Sequence, residues 1–174
     1  MLNERVRAGL TAGVIAAAAT AGAVVGFGMT QGAPAEAFTS AGRLLLGVAP
    51  TEGGGRQLGA FAVGVLLHVG GALAWGLAFA LIAGRLRGVR LLAAALLFAA
   101  AVYLVRERAP ALLRIGHGAR AFPPQVVVLH VVLALALAAG IRLAHVGGRT
   151  GATPRQRELG LDYVERNPPG GTEQ

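Results

Sequence analysis

The sequence predicts an all-α integral membrane protein. Its expected form is an antiparallel bundle of four transmembrane helices, with a short interfacial helix in the first loop and a short cytoplasmic helix near the C-terminus. Three observations carry this. Of 174 residues, 55% are hydrophobic and 14% are charged, whereas soluble domains carry about a quarter charged residues. The missing charge is concentrated in four apolar runs, most of them near the length a helix needs to cross a hydrocarbon core of about 30 Å. All 16 basic residues are arginines, and nearly all flank those runs, where cationic side chains sit at the membrane boundary. The net charge of +8 therefore reads as interface anchoring. The implied partner is the lipid bilayer, not nucleic acid. With no cysteine, disulfides, thiolate metal sites, cysteine nucleophiles and attachment of c-type haem are excluded.

The runs fall at about 8–29, 58–84, 89–105 and 123–143, within a transmembrane domain 1–148. The first follows a short basic head with Arg5 and Arg7. Its 22 residues would span roughly 33 Å as a helix. That exceeds the usual hydrophobic stretch of a signal peptide, so it reads as a retained membrane helix despite the small-x-small triplet Ala35-Glu36-Ala37. The pairs Gly9/Gly13 and Gly22/Gly26 place glycines one turn apart, where another helix can approach closely. In the first loop Pro34 opens a helix over 35–46, whose Phe38, Ala41, Leu45 and Leu46 share one side. Glu36 and Arg43 lie off that stripe, and the segment reads as a helix lying along the interface. Gly53-Gly54-Gly55 lacks the Lys-Ser/Thr of a phosphate loop and reads as a hinge.

The second run ends at Arg85-Leu86-Arg87-Gly88-Val89-Arg90, a connection short enough to return the third run antiparallel beside it. The third run is alanine-rich and short, and reaches across with the help of Val89 and snorkelling arginines. A second loop over 109–120 contains Gly116-His117-Gly118. The fourth run opens at Pro123-Pro124, with proline tolerated at a helix start. In the tail 149–174, Thr153-Pro154-Arg155-Gln156 resembles a capping box, predicting a short helix to about Arg166 and disorder beyond it. Ten arginines fall on the side of both termini and six on the other. The positive-inside rule therefore makes both termini cytoplasmic.

Chemistry-bearing residues are few. Asp, Glu and Arg are absent from the middle of all four runs, leaving His68 and His130 as the intramembrane titratable groups. Both sit on even-numbered runs and in outer halves, at depths about 7 Å apart. Gly64, His68, Gly71 or Ala72, and Trp75 share one face of the second run; His130, Ala134 and Ala138 follow one another at turn intervals on the fourth. Small neighbours imply that both imidazoles face protein, because hydrocarbon cannot satisfy ring nitrogens. One reading has each ring bonded to a carbonyl, a hydroxyl or the other ring, fixing helix packing, with Thr11, Thr20 and Tyr103 as partners. A second has the pair ligating one haem b from facing helices, with Gly71 and Trp75 beside the macrocycle. A metal or quinone site is a third, although two histidines are too few for a closed zinc site. No Gly-x-Ser-x-Gly, His-Glu-x-x-His or Walker motif is present.

A first helix reading AGLTAGVIAAAAT, a loop holding AFTSAGRLLLG, and single histidines in the second and fourth runs resemble the small YagU-like group of uncharacterised bacterial inner-membrane proteins. The similarity spans roughly residues 5–145. The resemblance implies four transmembrane helices in a bacterial inner membrane and brings no activity with it. The sequence thus points to a non-enzymatic accessory or structural component of a membrane assembly, a homo-oligomer or part of a larger complex. A bis-histidine haem-binding protein and a small oligomeric transporter are the alternatives.

Overall fold

The computed structural model describes the backbone of residues 2–112 and 124–147, and the side chains of 4–105 and 124–146. Five helices occupy that length and no strand is found among the described residues: α1 Leu2–Thr30, α2 Glu36–Leu46, α3 Gly54–Ala83, α4 Gly88–Leu112 and α5 Pro124–Gly147. Four of them, all but α2, are long and apolar enough to cross a membrane. This is the make-up of a multi-pass membrane protein. The expected loop motif Gly116-His117-Gly118 and the helix expected after Thr153 lie outside the described residues.

Helix ends differ from the sequence expectation at informative places. α1 begins at Leu2, so the basic head forms its first turns, with Glu4 favourably placed near the positive end of the helix dipole. α3 begins at Gly54, and Gly53 is its N-cap. The expected glycine hinge is therefore the first turn of a helix. Local bonds hold it there: the Gly53 carbonyl accepts from the amides of Arg56 at 3.1 Å and Gln57 at 3.4 Å, and Glu52 pairs with Arg56 across one turn.

The helices meet through alanine and glycine. A Cβ at Gly9 would lie 2.8 Å from Cα of Leu77, and one at Gly13 would lie 2.7 Å from Cα of Leu73. Such contacts exist only where a side chain is missing, and they let the α1 and α3 backbones approach closely. Position numbers rise along α1 as they fall along α3, through Gly9 with Ala80, Gly13 with Ala72 and Thr20 with His68. α5 meets α1 in the same manner, a Cβ at Gly140 running into Ala12. The core is built from an alanine row on α1 (Ala8, Ala12, Ala16), Phe79 and Ala83 on α3, Leu91, Ala95 and Ala99 on α4, and Ala134, Leu137 and Ile141 on α5. Ala138 packs against its edge. Gly22 and Gly26, expected to pack a helix, have open space where a side chain would project.

α2 covers the N-terminal half of α3, and of its apolar stripe only Phe38 takes part in that contact. Phe38, Thr39 and Gly42 are its buried residues, while Ala41 is exposed and Leu44, Leu45 and Leu46 are 88%, 64% and 49% exposed. Backbone approach decides this face. A Cβ at Gly42 would run into the Ala60 carbonyl, and one at Gly64 into the Phe38 carbonyl. The glycine side must face inward, and the leucines, diverging from it, turn outward.

Candidate functional site

Each histidine is positioned by a different set of helices. His68 lies four residues beyond Gly64, where α2 leans on α3, and its ring meets the Phe38 ring edge-on at 5.3 Å. Phe38 also meets Phe61 edge-on at 6.1 Å. On the α1 side, His68 Nε2 lies 3.1 Å from the Thr20 hydroxyl and 3.1 Å from the Ala17 carbonyl. Thr20 is buried, and its own hydrogen goes to the Ala16 carbonyl at 2.6 Å. The hydroxyl must therefore accept, and a carbonyl can only accept. Both partners require the hydrogen to sit on Nε2 of His68. One N–H serves two acceptors on α1, and the imidazole fastens α3 to α1.

His130 is held differently. Its Nδ1 donates to the Val126 carbonyl at 2.8 Å, one turn back on the same helix. Its ring meets Tyr103 of α4 edge-on at 5.2 Å. Here the hydrogen sits on Nδ1, so the two histidines carry it on opposite nitrogens. His130 and Tyr103 line a groove of about 210 Å³ between α4 and α5, with Leu96, Ala99, Val127 and Val131 as its apolar walls.

The other sequence-derived candidates disperse. Trp75 turns toward α4 and meets Phe98 edge-on at 5.9 Å, while Gly64 packs under α2 and Gly71 has nothing near its missing side chain. The face thought to gather Gly64, His68, Gly71 and Trp75 is thus divided among α2, α1 and α4. Of the three partners proposed for the rings, Thr20 bonds His68 and Tyr103 packs on His130, whereas Thr11 bonds the Arg7 carbonyl at 2.9 Å. No hydrogen bond or ring contact joins His68 to His130. Among the described residues no group of three or more His, Asp or Glu gathers as a metal site.

Sequence reasoning missed the polar clasp beside α2. Arg43 donates to Gln57 Oε1 at 3.2 Å and pairs with Glu36. Gln57 Nε2 in turn donates to the carbonyls of Ala49 at 3.0 Å and Pro50 at 3.2 Å. Glu52 accepts from the Ala49 amide at 2.9 Å. That bond and the Arg56 guanidinium hold the Glu52 carboxyl below its ordinary value. The signal available beforehand was the sign pattern Glu36, Arg43, Glu52, Arg56, which spacing alone cannot fold into pairs. Comparison of the chain with protein-family models, curated proteins and solved structures finds no match.

Proposed function

We propose that this chain is a non-enzymatic integral membrane protein of the bacterial inner membrane, acting as an accessory or structural part of a membrane assembly. α1, α3, α4 and α5 cross as an antiparallel bundle, with both termini cytoplasmic. The observation that carries the reading is the employment of the two imidazoles. His68 is bonded to α1 and His130 to its own helix, so the polar groups within the apolar helices serve packing. Gly22 and Gly26 support the assembly part, because a close-approach surface one turn long faces open space on α1. The opposing numbering of α1 and α3 supports the antiparallel arrangement.

In such a bundle Ala12 meets Gly140. Thr20 lies eight residues from Ala12 (20 − 12) and His130 ten from Gly140 (140 − 130), so the two imidazoles sit within about 3 Å of the same depth. Equal depth is a requirement of a shared haem, yet the hydrogen bonds tie the rings to separate neighbours. A haem would have to detach His68 Nε2 from α1 or use Nδ1.

Three measurements test the reading. Resistance of the chain to carbonate washing of membranes, with release by detergent, is expected; release by carbonate removes the integral-membrane reading. The natural chain lacks cysteine, so single cysteines placed at Gly22 or Gly26 should crosslink to a second copy or to a co-purifying subunit. A monomer with no crosslink sinks the assembly reading. The purified protein should lack a Soret band. A Soret band with a sharp reduced α-band, lost in both His68→Ala and His130→Ala, replaces this reading with haem binding.

A further inference from the structure

Three guanidinium groups surround one cleft where α3 turns into α4. Arg85, Arg87 and Arg90 line it with Leu86 and Val89, and it is an open depression of about 620 Å³. Gly88, at φ 56°, supplies the left-handed residue that lets the chain reverse within a few positions. Arg87 and Arg90 are exposed. The ion pairs among the described residues join Arg43 to Glu36 and Arg56 to Glu52, so no carboxylate of the described residues balances Arg87 or Arg90. The first turn of α4 contains no acidic residue, and its dipole adds to the same positive field.

The cleft is also half apolar in character. Val89 is 82% exposed beside these charges, at the junction of two helices long and apolar enough to cross a membrane. Guanidinium groups bind phosphate through paired, charge-assisted hydrogen bonds. Exposed valine and partly exposed leucine next to them suit the glycerol and upper acyl region of an amphiphile, which a small soluble anion lacks. Basic clefts between membrane helices recognise lipid headgroups on these terms.

We infer that the α3–α4 turn is a binding site for an anionic phospholipid, with the headgroup phosphate between Arg87 and Arg90, Arg85 alongside, and Leu86 and Val89 against the lipid's apolar part. The inference rests on the membrane reading above and adds a ligand to it. Gly9 meets Ala80, so the first turns of α1, with Arg5 and Arg7, lie at a similar level and supply a matched control.

The test uses the full chain in neutral detergent, titrated with mixed micelles of phosphatidylglycerol or phosphatidylcholine, or with inorganic phosphate, and followed by thermal unfolding. Phosphatidylglycerol should stabilise the protein, less so at high salt; phosphatidylcholine and inorganic phosphate should not. R87Q/R90Q should need about 30-fold more phosphatidylglycerol for half the effect, at roughly fivefold per arginine near an anionic surface. R5Q/R7Q, with the same change in charge but outside the cleft, should shift it less than about threefold, under one arginine's worth on that scale. If the double variant unfolds, R87Q and R90Q singly carry the test. Equal stabilisation by both lipids overturns the proposal, as does an unchanged R87Q/R90Q response or an equal loss in the two double variants. Stabilisation by inorganic phosphate alone would assign the cleft to a soluble anion and also overturn it. A chain released by carbonate fails the membrane reading itself, whereas a carbonate-resistant chain with no lipid preference fails only the lipid site.

Discussion

The Thr20 hydroxyl and His68 Nε2 join α1 to α3 across 3.1 Å, the hydroxyl accepting because its own hydrogen is committed to the Ala16 carbonyl. The same N–H also reaches the Ala17 carbonyl at 3.1 Å. Of the partners the sequence offered for His68, the fold uses the Thr20 hydroxyl, and the imidazole joins two helices.

Thr20→Val keeps the shape and removes the acceptor. Because Ala17 remains as a partner, the expected loss is modest, about 0.6 kcal/mol, the mean for hydrogen bonds between membrane helices. Reversible unfolding in mixed micelles measures it. A double-mutant cycle with His68→Ala should return a coupling of similar size, and a coupling of zero would show that the bond contributes nothing.

His68→Ala and His130→Ala should differ. The first removes a bond between helices and leaves the Thr20 hydroxyl without its donor, costing about 1–2 kcal/mol. The second removes a bond within one helix and an edge contact with Tyr103, and should cost about half as much. Equal losses, or a larger loss at His130, would place the structural weight on α5 instead.

Glycine substitutions separate the packed positions from the open ones. Gly64→Ala drives a methyl group into the Phe38 carbonyl and should cost about 1–3 kcal/mol, as overpacking does, with α2 becoming accessible to protease. Gly22→Ala meets open space and should be neutral or stabilising by about 0.5–1 kcal/mol, from the better helix propensity of alanine. Similar effects at the two positions would contradict the docking of α2 on α3.

The loop before α3 should respond to acid. Glu52 is held below its ordinary value of 4.5 by the Ala49 amide and then by Arg56. A carboxyl lowered on folding contributes its stabilisation fully above the unfolded value. That contribution fades as pH falls through the lower folded value. Protection of the Ala49 amide, its exchange rate relative to the unstructured rate at the same pH, should therefore be higher at neutral pH and fall away below about pH 4.5. In Glu52→Gln the amide should exchange at one protection level across that window, and a retained pH dependence would point to another group.

The sequence by itself determined the class of this protein: how many long apolar helices it has and that two histidines interrupt them. Length and composition suffice for that, because a hydrocarbon-spanning helix must satisfy its backbone internally and cover itself with apolar side chains. It also marked Gly9 with Gly13 and Gly22 with Gly26 as places of close approach. Only the tertiary structure decided what those places meet. Gly22 and Gly26 have the same spacing as Gly9 and Gly13 yet face open space, and spacing holds no record of a neighbour. The apolar stripe of α2 was legible, but not which residues dock on α3, since the inward face follows backbone contact at Gly42 and Gly64 and not side-chain hydrophobicity. The histidines illustrate the same division. Their positions are in the sequence; their partners depend on which helix lies within 3 Å, and in a helix apolar on every side nothing in the residue pattern selects that neighbour.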